Sequence, residues 1–198
     1  MRSIGWITIF CGAALASVSL QAQDEYSKQD VSVQVLGSFV KSTWNNGVEQ
    51  SASNTAGVLG DYRYFFNKNN GFEVNYAFTQ NTEKFGFSGS ALGVNSYSNE
   101  ASAAYVFRMP LKHFTPFLLA GAGGLMFTPQ NFAGASTQAR AAFVYGGGAD
   151  FNLGSHVFMR AQYRGLVYNS PTYDLPALNG TDRITHRAEP SIGFGYRF

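Results

Sequence analysis

From residue 30 onward the chain alternates between apolar and polar positions with a period of two. In "DVSVQVLGSFV" (30–40), Val31, Val33 and Val35 fall on one side and Ser32 and Gln34 on the other. "AGVLGDYRYFF" (56–66) sets Val58, Tyr62, Tyr64 and Phe66 against Asp61 and Arg63. "GFEVNYAFTQ" (71–80) sets Phe72, Val74, Tyr76 and Phe78 against Glu73, Asn75 and Thr79. The stretch 97–107 opposes Ala101, Ala103, Tyr105 and Phe107 to Ser98, Glu100 and Ser102. "TPFLLAGAGGLMF" (115–127) is the most apolar, with Phe117, Leu119, Gly121, Gly123, Leu125 and Phe127 in one row. "RAAFVYGGGADF" (140–151) and "VFMRAQYRGLVY" (157–168) follow, with Arg140, Asp150, Arg160, Gln162 and Arg164 on their polar sides. The last stretch runs from His186 to Phe198, its polar row being Arg187, Glu189, Ser191, Gly193, Gly195 and Arg197. Period two over such lengths predicts strands, and it predicts about eight of them.

The connections alternate in length. "NKNN", "RMPLKH" and "NLGSH" are short, whereas the stretches after the first, third, fifth and seventh strands are long and rich in Asn, Ser, Thr and Gly. Short turns at one end and long loops at the other are the pattern of an outer-membrane barrel, and an even strand count puts both termini on the short-turn side.

Alternation alone does not say which row faces out, because a soluble cup hides its apolar row and a membrane barrel exposes it. The charges decide. Lys28, Lys41, Lys68, Lys84 and Lys112 all lie in the lead, at a strand end or in connections. Within the strands the polar rows carry Asp61, Glu73, Glu100, Asp150 and Glu189 against Arg63, Arg140, Arg160, Arg164, Arg187 and Arg197. Near-balanced signs suit a narrow lumen, where an unpaired charge is costly and a forked Arg–carboxylate pair satisfies several donors. The opposite rows carry no charge, as lipid demands. The expectation is that the Phe, Tyr and aliphatic rows, that of 115–127 included, face hydrocarbon.

Composition agrees. Charged residues make up 13% and aromatics 16% of the 198 residues, with 22 Gly. Mean hydropathy is only -0.11, as alternating strands give. A net charge of +2 without any dense basic run argues against nucleic acid. The N-terminus has Arg2, an apolar run from Ile4 to Val18 and small residues after it, the form of a secretory signal peptide. The domain reading is a signal peptide over 1–22, a periplasmic lead over 23–29 and a barrel over 30–198. Cys11, the only cysteine, falls in the signal, so the exported chain has no disulfide.

His113, His156 and His186 stand in short turns or at a strand start, and they form no metal-ligand spacing. "GAGG" and "GGGAD" are followed by no helix, so a phosphate loop is not indicated. No catalytic residue, cofactor or metal is expected.

"DYRYFF", "PFLLAGAGG", "AFVYGGGADF", "RAQYRGLVY" and the terminal "GFGYRF" resemble the small porin-like family around the OmpA transmembrane domain, with OmpX and the opacity proteins. The resemblance implies an all-β, eight-stranded antiparallel up-and-down transmembrane β-barrel in the bacterial outer membrane. It implies that Phe194, Tyr196 and Phe198 serve as the C-terminal signal read by the barrel assembly machinery. It also implies a lumen packed with charged pairs. The partners expected are outer-membrane lipids and lipopolysaccharide, the assembly machinery during insertion and surface ligands at the loops. Nucleic acid is not expected, and the oligomeric state expected is a monomer. The role expected is envelope structure or adhesion by a non-enzymatic barrel. The alternatives are a narrow channel for small or hydrophobic solutes and a lipid A-modifying barrel enzyme.

If a carboxylate meets Arg160 in the lumen, Arg160→Leu leaves that carboxylate buried and unpaired. The expected loss is about 3–5 kcal/mol, read as a lower unfolding midpoint in denaturant. An unchanged midpoint would place Arg160 elsewhere.

Overall fold

A computed structural model describes residues 27–87, 90–130, 134–175, 178 and 183–198. The expected signal peptide and the first part of the lead lie outside the described residues. The strands are β1 (Gln29–Val40), β2 (Thr43–Asn45), β3 (Val48–Ala52), β4 (Thr55–Phe65), β5 (Asn70–Phe87), β6 (Ser90–Arg108), β7 (Phe114–Pro129), β8 (Gln138–Asn152), β9 (Val157–Asn169) and β10 (Ile184–Arg197). Among the described residues no helix is long and apolar enough to cross a membrane.

β1, β4, β5, β6, β7, β8, β9 and β10 pair antiparallel in chain order. The circle closes where β10 returns to β1, from Asp30 opposite Arg197 to Val40 opposite Arg187. This is a closed, eight-stranded barrel. Closure answers lipid's main demand, that no sheet edge be left unpaired. The start of β1 and the end of β10 meet at the short-turn end, where the Phe198 amide donates to the Gln29 carbonyl at 3.0 Å.

Parity places the rows. Val33, Val35, Val58, Phe72, Val74, Tyr76, Phe143, Ile192 and Phe194 are exposed on the outer wall. Ser32, Gln34, Asp61, Arg63, Glu73, Glu100, Arg160, Arg164, Arg187 and Glu189 are buried within. β7 corrects the expectation. Its row of Phe117, Leu119, Leu125 and Phe127 is buried inside, and Leu118 and Met126 are exposed. Both faces of this strand are apolar, so hydropathy could not orient it; pairing does. Leu119 lies opposite the inward Val106, and Phe117 opposite the inward Arg108.

Two further departures concern the long loops. The stretch expected as a loop after the third strand is strand instead. β5 and β6 remain paired up to Phe87 and Ser90. Alternation persists there with its sense reversed: Phe85 and Val94 are buried, while Lys84 and Asn95 are exposed. The lipid-facing belt on β5 ends at Phe78, so the hairpin beyond it stands in water and obeys the soluble-barrel rule. The first long loop holds the β2–β3 hairpin, turned at Asn46-Gly47 with φ of 48° and 76°. That is the backbone that favours Asn-Gly in two-residue hairpins. β3 then adds to β5 outside the lipid belt, from Glu49 opposite Gly86 to Ala52 opposite Glu83.

The glycines of β7 and β8 permit close strand approach. A Cβ on Gly121 would strike the Ala103 carbonyl, and one on Gly148 the Ala161 carbonyl. Gly121→Val therefore forces two paired backbones apart. It is expected to cost about 1–3 kcal/mol, measured by urea unfolding in lipid vesicles, whereas Ala122→Val on the outward row of the same strand costs little.

Candidate functional site

The candidate site is the filled lumen, and it is layered. The layer nearest the short turns centres on Arg160 of β9, which is fully buried. Its guanidinium forks onto Asp150, with Nε to Oδ1 at 2.7 Å and Nη2 to Oδ2 at 3.0 Å. Nη2 also donates to Asp30 at 3.0 Å, and Nη1 donates to Asp61. Register explains the fork, because Arg160 lies directly opposite Asp150 across β8–β9. Asp61 is braced by Ser32 and by Gln34, whose Nε2 donates to it at 2.7 Å. Arg63 pairs with Glu73, its cross-strand neighbour, and stands 3.8 Å from Asp150. Arg197 reaches Asp150 at 3.5 Å.

Phe117, an inward aromatic of β7, lies against this layer. The Arg63 guanidinium is 3.9 Å from its ring centroid and that of Arg160 is 5.4 Å away. A flat ring and a flat cation stack well where water is scarce. The inward Phe117 is thus a spacer between the two cations.

The second layer lies further outward. Arg164 pairs with Glu100 and stands 3.7 Å from Glu189. Arg187 also stands 3.7 Å from Glu189 and donates to the Ser98 hydroxyl at 3.1 Å. Ser102 donates to Glu100 at 2.9 Å.

Of the lumen residues named from the sequence, the two layers bring together Asp61, Arg63, Glu73, Glu100, Asp150, Arg160, Arg164, Arg187, Glu189 and Arg197. Arg140 stands apart. It sits half-buried near the outer mouth, donates to Gln138 Oε1 at 3.1 Å and has no carboxylate within ion-pair distance among the described residues. Polar parity puts it in the right row but gives no height. Three charged residues escape the sequence reading. Asp30 occupies the same parity as Ser32 and Gln34, one step below, and extending that row by two residues finds it. Arg108 falls in an expected turn; its guanidinium lies 3.3 Å from the Phe65 ring centroid and seals the short-turn end. Glu83 lies in the stretch expected as a loop and is buried.

The outer mouth is closed by part of the last long loop, which folds inward. Tyr173 and Leu178 are fully buried and Leu175 nearly so, against Phe85, Val94, Phe127 and Tyr168. The Tyr173 hydroxyl donates to Ser96 at 3.0 Å. Gln138 Oε1 accepts from the Thr172 and Tyr173 amides at 2.9 and 3.0 Å, and Gln138 Nε2 donates to Asp174 at 2.6 Å. Hydrogen bonds from Ser136 and Gln138 hold the exposed Asp174 carboxyl below the usual carboxylate range. Tyr173 and Asp174 both adopt left-handed backbone, φ 55° and 56°. Neither is glycine, so the segment carries about 1–2 kcal/mol of strain at each position, offset by these clips.

On the outer wall Phe194, Tyr196 and Phe198 are exposed. Tyr196 stacks on His156 with centroids 5.5 Å apart. His186 and Tyr145 hydrogen-bond at 2.9 Å across the bare backbone of Gly165. His113 is exposed in a short turn. No group of three His, Cys, Asp or Glu among the described residues could hold a metal ion.

The layering separates two arginines that the sequence makes equivalent. Arg164→Ala leaves Glu100 and Glu189 short of a cation and is expected to cost about 3–5 kcal/mol. Arg140→Ala, which among the described residues breaks no ion pair, is expected to stay within about 0.5 kcal/mol. Denaturant unfolding of both variants in vesicles checks the contrast.

Several solved proteins share this architecture. Neisserial surface protein A is 14% identical, with a TM-score of 0.65 over 86% of this chain and 97% of that one. OprG of Pseudomonas aeruginosa is 14% identical, with a TM-score of 0.63 over 87% and 96%. Ail, the attachment invasion locus protein of Yersinia pestis, is 23% identical, with a TM-score of 0.55 over 88% and 100%. These likenesses carry the fold. No curated protein matches the chain. The family model described as "Outer membrane protein beta-barrel domain" matches residues 10–198. With its closed barrel and its apolar outer wall, the chain belongs to that family and is a protein of the bacterial outer membrane.

Proposed function

We propose that this barrel is a non-enzymatic wall element that holds a rigid hairpin and loops above the outer membrane, for envelope structure or for adhesion to surface ligands. The observation that carries the reading is the lumen. Two Arg–carboxylate layers and an inward-folded loop obstruct it at successive heights, which leaves the exterior as the surface able to act. The β5–β6 hairpin with β3 beside it presents Lys84 and Glu49 to water. The solved relative named as an attachment invasion locus protein is in keeping with an adhesive role, and that relative has been solved with the heparin analogue sucrose octasulfate. In the same reading Phe194, Tyr196 and Phe198 form the signal for the assembly machinery, residues 1–22 are the signal peptide, and the barrel works as a monomer among lipopolysaccharide and outer-membrane lipids.

One observation favours the narrow-channel alternative. Asn75, Thr79 and Asn81 on the inward face of β5, and Gln162 on β9, are buried with side-chain atoms that have no hydrogen-bond partner. Dry amides without partners are costly, so this column invites water.

Planar-bilayer recording of the purified chain separates the two. The filled lumen is expected to give brief, small events at most, and a stable stepwise current would establish the channel instead. Removing the β2–β3 hairpin and the hairpin above Phe78 is expected to abolish binding to host cells or matrix. Undiminished binding would exclude loop-mediated adhesion. Lipid A is expected to keep the same acyl chains, by mass spectrometry, with and without the protein.

A further inference from the structure

Beneath the inward-folded segment Ser170–Leu175 lies a carboxylate with no cation at ion-pair distance among the described residues. Glu83 is 6% exposed, and its Oε1 has no hydrogen-bond partner. It lines a cavity of about 10 Å³ with Val40, Lys41, Gln50, Tyr168 and Ser170. That is room for one water molecule. The groups around it leave Oε1 unpaired. Arg187 of β10 attracts it from beyond ion-pair distance: its Nη1 is turned to Ser98 and Glu189, and its Nε and Nη2 make no hydrogen bond. β9 offers Tyr168 and the folded segment offers Tyr173, both hydroxyls. β3 contributes Gln50 and Ser51, and β6 contributes Val94 and Ser96, none of which titrates. Lys41, after β1, lines the cavity with its side chain exposed. Among the described residues no cation stands within ion-pair distance of Glu83.

An acid in that position keeps its proton while the segment covers it, since a buried charge without a partner is the costlier state. The covering segment is itself poised, held by Gln138 and Ser136 against two consecutive left-handed residues.

We propose that Glu83 is a proton-binding site that controls the outer mouth: protonated, it lets Ser170–Leu175 seal the barrel, and on releasing its proton to water it drives that segment out. The Arg–carboxylate layers below stay shut, so release bares an apolar vestibule around Phe85, Phe127 and Tyr168 without opening a pore. Glu83 stands above Phe78, outside the lipid belt, and burial pushes its carboxyl up to about 7. The sealed state thus holds the proton more tightly than an exposed glutamate does. Sealing is therefore favoured below the exposed pKa and lost as pH rises through about 7.

The test places a thiol on the sealing segment. Leu175→Cys, in a Cys11→Ser background and refolded in lipid vesicles, is labelled with a membrane-impermeant maleimide from pH 5 to pH 8. A twin carries Glu83→Gln in addition. The pH dependence of thiol reactivity is shared by the pair and cancels in their ratio. The glutamate protein is expected to be labelled at least about tenfold faster than its twin at pH 8 and within about fivefold of it at pH 5. Equal rates across the range would overturn the proposal. Hydrogen exchange of the Thr172 and Tyr173 amides, in the unmodified chain and in Glu83→Gln alone, decides the matter independently should the cysteine disturb folding. Protection lost at pH 8 in the unmodified chain only supports the site; protection identical in both chains refutes it. Conductance stays unchanged throughout, which keeps this outcome separate from the channel test.

Discussion

The seam between β1 and β10 is the constraint from which the rest of the molecule follows. A strand edge facing lipid would leave each N–H and C=O without a partner, at several kcal/mol per group. Pairing Val40 with Arg187 at one end and Asp30 with Arg197 at the other closes the circle. Once it is closed, parity is shared by all eight wall strands, and a one-residue slip at the seam would turn arginines into hydrocarbon and valines into the lumen. The seam also brings Asp30, at the start of the barrel, beneath Arg160, more than a hundred residues later.

The ionic core is a consequence of narrowness rather than a source of stability in itself. Apolar side chains of the same volume would fill an eight-stranded lumen as well and often more stably. What ion pairs add is a penalty for any wrong arrangement, because each arginine must find its own carboxylates. Arg160 has Asp150, Asp61 and Asp30, and Arg164 has Glu100 and Glu189. Exchanging them strands charges in both layers. The ionic layers thus make the barrel specific in its register.

Most of the wall was legible in the sequence, because below Phe78 one physical contrast, lipid against a polar lumen, writes itself into every second residue. Legibility failed where that contrast vanished or inverted. On β7 both faces are apolar, so Phe117 and Phe127 looked like lipid contacts; only their partners on β6 turn them inward. Past Phe78, water replaces lipid. Lys84 outside and Phe85 inside then read as an irregular loop, although the strand is unbroken. The ionic layers were readable as a row but not as heights, which is why Arg140 seemed to belong with Arg164. Tyr173, Leu175 and Leu178 could not be placed at all, since a loop that folds into its own barrel leaves no periodic trace.

The inversion on β5 has one more consequence. Between Phe78 and Lys84 the outward face changes from greasy to charged, and the chain cannot sink or rise without dragging one kind of residue into the wrong solvent. That boundary works like a waterline painted on a hull. The remainder of the β5–β6 hairpin projects roughly 20 Å above it at ordinary strand rise and tilt. Whatever its tip meets is met at a constant height over the lipid, set by a handful of side chains at the boundary and indifferent to the sequence of the tip itself.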